Sequence, residues 1–120
     1  MNVLVIDVGT SSMRGILYNE KAQILYVHQI QYEVNYISET EAEQDPADWK
    51  QALFSIGAQT AQFAREQGLT VDALSLTSQR SSVIPVDRKG NPLRPAIMWL
   101  DKRNASICQE LKDREEFIVS

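Results

Sequence analysis

The N-terminal third of the chain alternates strands and short turns, and this pattern limits the folds open to it. Apolar runs predict strands over residues 2–8, 12–19 and 23–34, arranged as an antiparallel meander. The first strand ends at one acidic residue, Asp7, and a turn of small residues, 9–12, follows it. A Rossmann βαβ unit needs a helix directly after its glycine-rich turn, so the pattern excludes that unit. The turn also lacks both Gly-x-x-x-x-Gly-Lys-Ser/Thr and Gly-x-Gly-x-x-Gly.

The residues around the 9–12 turn have the chemistry of a site for a nucleotide and a divalent cation. Hard cations such as Mg²⁺ take oxygen ligands, and consecutive backbone N–H groups in a turn form a concave anion site. Glycine allows a close backbone approach or a positive φ, and arginine adds a permanent charge. The candidate nucleotide-binding residues are Asp7, Gly9, Thr10, Ser11, Ser12 and Arg14, with Asp7 as the candidate metal ligand. The alternative is an ordinary polar β-hairpin, which uses the same residue types.

Composition and charge exclude several other classes of protein. The 120 residues amount to one domain, and a net charge of −4 argues against a nucleic-acid binder, which needs a basic face. We find neither an apolar run of membrane-spanning length nor the features of a signal peptide. The single Cys108 cannot form an internal disulfide. One cysteine and one histidine, His28, are too few ligands for a zinc site. We therefore expect a cytoplasmic protein that does not associate with membranes.

The middle of the chain predicts a loop followed by one long helix. Residues 35–44 are polar and acidic, which indicates a surface loop. Asp45 as N-cap and Pro46 at the first helical position begin a helix whose apolar residues recur at helical spacing. Gly68 ends this helix as a C-terminal cap.

The C-terminal half returns to strands. Strands are predicted at 71–76 and 83–86, an extended segment at 95–99, and a final helix capped by Asp101. A meander, a crossover helix and returning strands are typical of an α/β fold around a mixed sheet. Residues 115–120 begin a new apolar segment with no terminator, as expected of a chain cut inside a larger protein.

A second polar cluster follows the strand predicted at 71–76. Gln79 and Arg80 lie beyond its carboxyl end, where ligands gather in α/β sheets. The guanidinium of Arg80 offers a planar fork of donors suited to hydroxyl and carbonyl oxygens. Trp99 supplies an aromatic wall that can cover the apolar face of a small polyol. The alternatives are a loop arginine that is solvated or caps a carbonyl, and a tryptophan that packs in the core.

Taken in order, these motifs resemble the FGGY carbohydrate kinases, the family of glycerol, xylulose, ribulose and gluconate kinases. Residues 7–14 are similar to the family's first phosphate motif, and residues 43–49 to the segment before its first long helix. Residues 77–80 resemble the substrate strand of glycerol kinases, and residues 94–103 resemble the family's Pro-Ala-Ile-x-Trp-x-Asp-x-Arg segment. Together the four motifs extend the resemblance over nearly the whole chain.

The resemblance implies both a fold and a reaction. The fold is the N-terminal part of an actin-like, ribonuclease-H-like ATPase domain, and a second, ATP-binding domain would lie outside this chain. The reaction is transfer of the ATP γ-phosphoryl group to a hydroxyl of a sugar or polyol with Mg²⁺, and homodimers are common in the family. Asp7 would act at the metal, usually through water, while Gln79, Arg80 and Trp99 would contact substrate. In the family the catalytic base lies beyond residue 120, so no catalytic residue is expected here.

Ser81 departs from the glycerol kinases, which place a substrate-binding glutamate after Gln-Arg. We retain Ser81 among the candidate substrate-binding residues. Xylulose kinases place Met-His where this chain has Arg80 and Ser81, so several sugars and polyols stay open as substrates. The alternative function is a non-catalytic actin-like domain that binds nucleotide or sugar. A plain interaction domain would require the Asp7 turn and the Arg80 cluster both to be coincidental.

Overall fold

The computed structural model describes residues 1–114. The apolar segment predicted at 115–120 lies outside the described residues. No helix within the described range combines the length and apolarity needed to span a membrane. The helices and strands are, in chain order, β1 (Val3–Val8), β2 (Ser12–Tyr18), β3 (Ile24–Gln31), β4 (Asn35–Tyr36), β5 (Ala42–Gln44), α1 (Pro46–Glu66), β6 (Ala73–Ser78), β7 (Ala96–Ile97) and α2 (Ala105–Lys112).

A four-stranded mixed sheet with the order β3-β2-β1-β6 forms the centre of the fold. Strands β1, β2 and β3 pair antiparallel, as the predicted meander requires. Strand β6 returns through α1 and pairs parallel to β1, with Val3 opposite Ala73 and Val8 opposite Ser78. A parallel return needs a crossover connection, and α1 supplies it. The predicted α/β fold with a mixed sheet is confirmed, although β6 begins and ends two residues later than predicted.

Helix α1 begins and ends where the local chemistry predicts. The carboxylate of Asp45 caps it by accepting from the backbone N–H two residues later at 2.9 Å. At the other end Gly68 takes a left-handed φ of 64°. The N–H groups of Gly68 and Leu69 then donate to carbonyls of the last helical turn, at 3.2 and 2.8 Å. This is the Schellman arrangement, in which glycine avoids the Cβ penalty of a positive φ.

The core lies between α1 and one face of the main sheet. Strand β2 passes unusually close to the helix at Gly15, where a Cβ would lie 2.3 Å from Cγ2 of Ile56. The opposite face of the sheet carries apolar residues such as Val5 and Ile16, and it becomes polar at Asp7 and Arg14, near the 9–12 turn. The buried side chains of this core are Leu4, Ile6, Met13, Leu17, Tyr32, Ala52 and Ile56.

The prediction of a plain loop over residues 35–44 is wrong. This segment contains β4 and β5, and β5 pairs antiparallel with β7, which gives a second sheet of order β4-β5-β7. The strand predicted at 83–86 is also wrong, because Val83 and Val86 form only isolated bridges, to Ile97 and Pro92. Such short segments have too few residues for a periodic signal, and the pairing of β5 with β7 joins distant parts of the chain.

The predicted capping role of Asp101 is wrong as well. The N-cap of α2 is Asn104, and it makes no side-chain capping hydrogen bond. Asp101 instead accepts from the backbone N–H of Ala42 at 2.7 Å and forms an ion pair with Arg103 at 2.7 Å. Its carboxylate therefore ties β5 to the segment that follows β7.

Candidate functional site

The carboxyl ends of the parallel strands β1 and β6 lie side by side and carry both candidate clusters. The ladder between the strands continues beyond them, because the N–H of Gln79 donates to the carbonyl of Val8 at 3.0 Å. The 9–12 turn follows β1, and the segment 79–82 follows β6. The structure thus brings the candidate nucleotide and substrate residues to one edge of the sheet, the edge at which α/β folds bind ligands.

Asp7 belongs to a polar row on the face of the sheet opposite α1. It is paired with Arg14 on β2 and Thr77 on β6, and Arg14 is paired with Gln29 on β3. Side chains of residues paired in this way point to the same face, opposite to the core residue Ile6. Within residues 1–114 Asp7 is exposed and forms no ion pair, since the Arg14 guanidinium donates to Gln29 at 3.3 Å. The carboxylate is therefore accessible to a hydrated cation.

The arrangement fits a metal that arrives with the nucleotide. No group of three or more His, Cys, Asp or Glu side chains within residues 1–114 is placed to hold a metal ion. Mg²⁺ keeps several waters and is usually bound through one or two carboxylates together with substrate phosphates. A single exposed carboxylate such as Asp7 meets that requirement without a preformed protein cage.

Gly9 is required by the tightness of the 9–12 turn. Its N–H donates to the carbonyl of Ser12 at 2.9 Å, which closes the turn. A Cβ on Gly9 would lie 2.9 Å from that same oxygen, a separation that real Cβ atoms essentially never show. Gly9 does not take a positive φ, so the close approach within the turn, and not backbone handedness, is the reason for glycine here.

Three carbonyls of the turn are held from behind. The hydroxyl of Tyr32 donates to the carbonyl of Gly9 at 2.7 Å, and its backbone N–H donates to that of Ser11 at 3.0 Å. The side-chain amide of Gln44 donates to the carbonyl of Thr10 at 2.6 Å. In a trans peptide the N–H points away from the preceding carbonyl, so the N–H groups of Thr10 and Ser11 face the other way. Neither donates to any atom within residues 1–114, and both are available to an anion.

Burial of Tyr32 beneath the turn changes its ionisation. Burial raises the pKa of Tyr32 to about 12, and the negative charge of Asp7 adds to the rise. The phenol therefore remains protonated at neutral pH and keeps donating to the Gly9 carbonyl.

The hydroxyl of Thr10 joins the turn to two candidate substrate residues. Its Oγ1 donates to Oε1 of Gln79 at 3.1 Å and accepts from Nε1 of Trp99 at 3.0 Å. The other amide atom of Gln79, Nε2, is buried and has no hydrogen-bond partner among the described residues. A buried donor without a partner is costly, which makes this atom a position where a ligand oxygen would be stabilised.

The segment 79–82 combines an accessible cation with a strained backbone. Arg80 is exposed and makes neither a hydrogen bond nor an ion pair within residues 1–114. Ser81 takes a φ of 67°, a left-handed conformation that non-glycine residues rarely adopt. The hydroxyl of Ser82 accepts from the backbone N–H of Trp99 at 3.2 Å. The Trp99 side chain is 55% exposed, so it forms an open wall beside this segment and is not a core residue.

An ion cluster holds the small sheet and the segment around Trp99 together. Arg103 donates to Glu43 at 2.8 Å and to both oxygens of Asp101, and Arg94 also pairs with Glu43. Hydrogen bonds from Arg103 hold the pKa of Asp101 well below its usual range, and the same contacts raise the pKa of Arg103. The Asp101–Arg103 pair is therefore charged at neutral pH, and the cluster ties β5 to the chain on both sides of β7.

Four side chains that shape the site were not singled out from the sequence: Tyr32, Gln44, Trp49 and Ser82. Tyr32 was predicted as part of β3, and Gln44 as part of a surface loop. Both donate hydrogen bonds to carbonyls of the 9–12 turn, and no local sequence pattern predicts these contacts. The sequence signals at Gln44 are its position directly before the N-cap of α1 and its place in the 43–49 segment, and neither indicates a contact with the turn.

The fold and the site together define the N-terminal part of an actin-like ATPase fold. The mixed sheet carries the tight polar turn 9–12 at the end of β1, beside the polar segment 79–82 at the end of β6. More particularly, the chain belongs to the FGGY family of carbohydrate kinases, because the model of the family's N-terminal domain matches residues 2–119.

Relatives of known activity agree with this assignment. The chain is 34% identical over 110 residues to a glycerol kinase of Rhodospirillum centenum, covering 91% of this chain and 22% of that enzyme. It is 33% identical over 112 residues to a xylulose kinase of Lactococcus lactis, covering 93% and 22%. The chain thus spans about a fifth of the length of these relatives.

Solved structures resemble the fold closely. Plasmodium falciparum glycerol kinase with ADP superposes with a TM-score of 0.91 at 26% identity, covering 94% of this chain and 23% of that one. Ligand-bound xylulose kinase of Lactobacillus acidophilus gives a TM-score of 0.81 at 27% identity, with coverages of 94% and 22%.

Proposed function

We propose that the protein containing these residues transfers the γ-phosphoryl group of ATP to a hydroxyl of a sugar or polyol, with Mg²⁺. The observation that carries the proposal is the contact of Thr10 with Gln79 and Trp99. It sets a turn with outward-facing N–H groups directly against a polar edge, so that a phosphate and a sugar would meet at one place. The glycerol and xylulose kinases among the relatives support the same reaction class.

In this proposal the residues act by positioning and by neutralising charge, on which phosphoryl transfer chiefly depends. The N–H groups of Thr10 and Ser11 bind phosphate oxygens, with the Ser11 and Ser12 hydroxyls and Arg14 lining the path. Asp7 orients the hydrated Mg²⁺, which neutralises charge on the phosphates. Gln79, Arg80 and Ser81 bind sugar hydroxyls, and Trp99 covers the apolar face of the sugar.

The proposal also divides the work between this segment and the rest of the protein. Residues 1–120 supply the phosphate turn and one wall of the substrate site within the first domain. The remaining part of that domain and a second domain supply the adenosine site and the base that deprotonates the substrate hydroxyl. By analogy with the family, we extend the proposal to a cytoplasmic location and a homodimer.

The test is a substrate panel on the full-length protein. We expect release of ADP from MgATP to depend on one of glycerol, xylulose, ribulose or gluconate. Asp7→Asn should lower kcat by about two orders of magnitude, because metal-assisted charge stabilisation contributes several kcal/mol. Asp48→Asn, an exposed aspartate in the first turn of α1, is the matched control and should keep wild-type turnover. The proposal would be contradicted if ADP release did not depend on any of the four substrates, or if Asp7→Asn kept full activity across a Mg²⁺ titration.

A further inference from the structure

Gln44 is the most deeply buried polar residue close to the 9–12 turn. Its relative exposure is 1%, and it is the last residue of β5. Its amide contacts three separate parts of the chain: the turn at Thr10, the connection after β3 at Glu33, and α1 at Trp49. A buried amide must satisfy both of its polar ends, so these contacts are the reason that the residue can be buried at all.

The contact with Trp49 determines which way the amide of Gln44 faces. Nε1 of Trp49 donates to Oε1 of Gln44 at 3.1 Å. An indole N–H can only donate, so the side facing Trp49 must be the carbonyl oxygen. The NH₂ group is thereby directed at two backbone carbonyls, that of Thr10 at 2.6 Å and that of Glu33 at 3.2 Å. No other orientation of the amide satisfies all three partners.

We infer that Gln44, oriented by Trp49, is a positioning residue for phosphate binding at the 9–12 turn. By holding the Thr10 carbonyl behind the turn, its amide directs the Ser11 N–H outward. It also fixes the backbone from which the Thr10 hydroxyl reaches Gln79 and Trp99. Gln44 itself is buried behind the turn, so its role is to position the turn and not to bind the ligand. The inference rests on the proposed function only for the identity of the anion.

The decisive variant is Gln44→Glu in the full-length protein. In its ionised form it keeps the shape and the acceptor that faces Trp49, and replaces the donor by an oxygen that faces two carbonyl oxygens. A protonated carboxyl would still donate one hydrogen bond, so Gln44→Met, which cannot donate in any ionisation state, is measured beside it. We expect the Kd of MgATP and of inorganic tripolyphosphate, measured by calorimetry, to rise at least about tenfold, which corresponds to one lost hydrogen bond to a charged group. The inhibition constant of adenosine, which has no phosphate, should stay within about twofold. Gln44→Met, which is uncharged, should show the same split.

Two further variants separate positioning from general destabilisation. Trp49→Phe keeps a ring but frees the amide to turn, so it should weaken tripolyphosphate binding in the same direction and less than Gln44→Glu. If the Gln44 variants do not fold, the tripolyphosphate affinity of Trp49→Phe tests the inference in their place. Ile56→Val trims the core beneath α1 and should lower the melting temperature while leaving tripolyphosphate affinity unchanged.

Wild-type affinity for tripolyphosphate in folded Gln44→Glu and Gln44→Met would overturn the inference. An equal loss of adenosine and tripolyphosphate binding would also overturn it, because that result describes a structural residue. A wild-type protein that binds tripolyphosphate but phosphorylates no sugar would refute the proposed function alone. In that case the tripolyphosphate titrations would still decide the role of Gln44.

Discussion

The hydroxyl of Thr10 provides the sharpest test of how the two halves of the site depend on each other. Thr10→Val replaces the hydroxyl by a methyl of similar size and so removes two hydrogen bonds at once, to Gln79 and from Trp99. Thr10→Ser, which keeps the hydroxyl, is the matched control. Both substitutions keep the backbone carbonyl that accepts from Gln44.

The expected magnitude follows from the exposure of the two partners. A hydrogen bond contributes about 0.5–1.5 kcal/mol net, and a buried partner left unpaired costs about 1–3 kcal/mol. Trp99 is 55% exposed, so its indole N–H can donate to water instead, and the free energy lost with this hydrogen bond is small. Gln79 is only half-buried overall, but its Nε2 already lacks a partner among the described residues, and the change leaves the whole amide unsatisfied. We therefore expect the free energy of unfolding to fall by about 1–2 kcal/mol.

Function should be affected as well as stability. Without the hydroxyl, Gln79 and Trp99 are no longer held against the turn, so the KM for sugar should rise roughly tenfold, the factor that corresponds to about 1.4 kcal/mol. The assay is steady-state kinetics with both substrates on the full-length protein, with a thermal melt of each variant. Thr10→Ser should have a KM for sugar close to that of the wild type. If Thr10→Val kept the wild-type KM for sugar, or if Thr10→Ser were equally impaired, the hydroxyl would not link the two clusters.

Three further expectations concern single residues. Arg80→Ala should raise the KM for sugar at least about tenfold and that for ATP less than about threefold, since a charge-assisted hydrogen bond contributes roughly 1.5–3 kcal/mol; a fall in melting temperature with equal loss for both substrates would instead mark a loop brace. Gly15→Ala should destabilise the fold by roughly 1–3 kcal/mol in chemical denaturation, because the added methyl overlaps Ile56, whereas Gly57→Ala, with open space around it, should not. The pKa of Tyr32 is raised from 10.0 to about 12, so its contribution to stability is complete below pH 10 and is lost as pH rises towards 12; Tyr32→Phe should flatten that part of the pH profile, and an unchanged slope would refute the assignment.

Local chemistry explains which elements could be predicted from the sequence. The ends of α1 were predictable because Asp45 and Gly68 act within a few residues of themselves. The meander was predictable because its strands are long and joined by short turns. Strands β4 and β5 were missed because they consist of only two and three residues, and because β5 pairs with the distant β7 as well as with β4. Asp101 was misassigned because an aspartate before a helix suits a cap, whereas its real partners include the distant Ala42.

The sequence could supply candidate residues for the site, but not the contacts that join them. Thr10, Gln79 and Trp99 were each chosen for their chemistry, and the structure places Gln79 and Trp99 each within hydrogen-bonding distance of the Thr10 hydroxyl. Thr10 contacts both Gln79 and Trp99 because of where β6 and β7 pack in the fold. No local sequence motif determines that packing. Gln44 was overlooked for the same reason, since a glutamine among acidic residues looks like solvated surface until its partners are known.

The pairing of β5 with β7 has a consequence for the lengths of the connecting loops. β5 ends at Gln44, which meets the backbone of Thr10, and β7 ends two residues before Trp99, which meets its hydroxyl. A slip of one residue between these strands would move one contact by about 3.3 Å and turn its side chain to the other face. Homologues should therefore vary little in length between β7 and Trp99, and insertions should collect in the exposed turn 87–91, which closes on itself through Asp87.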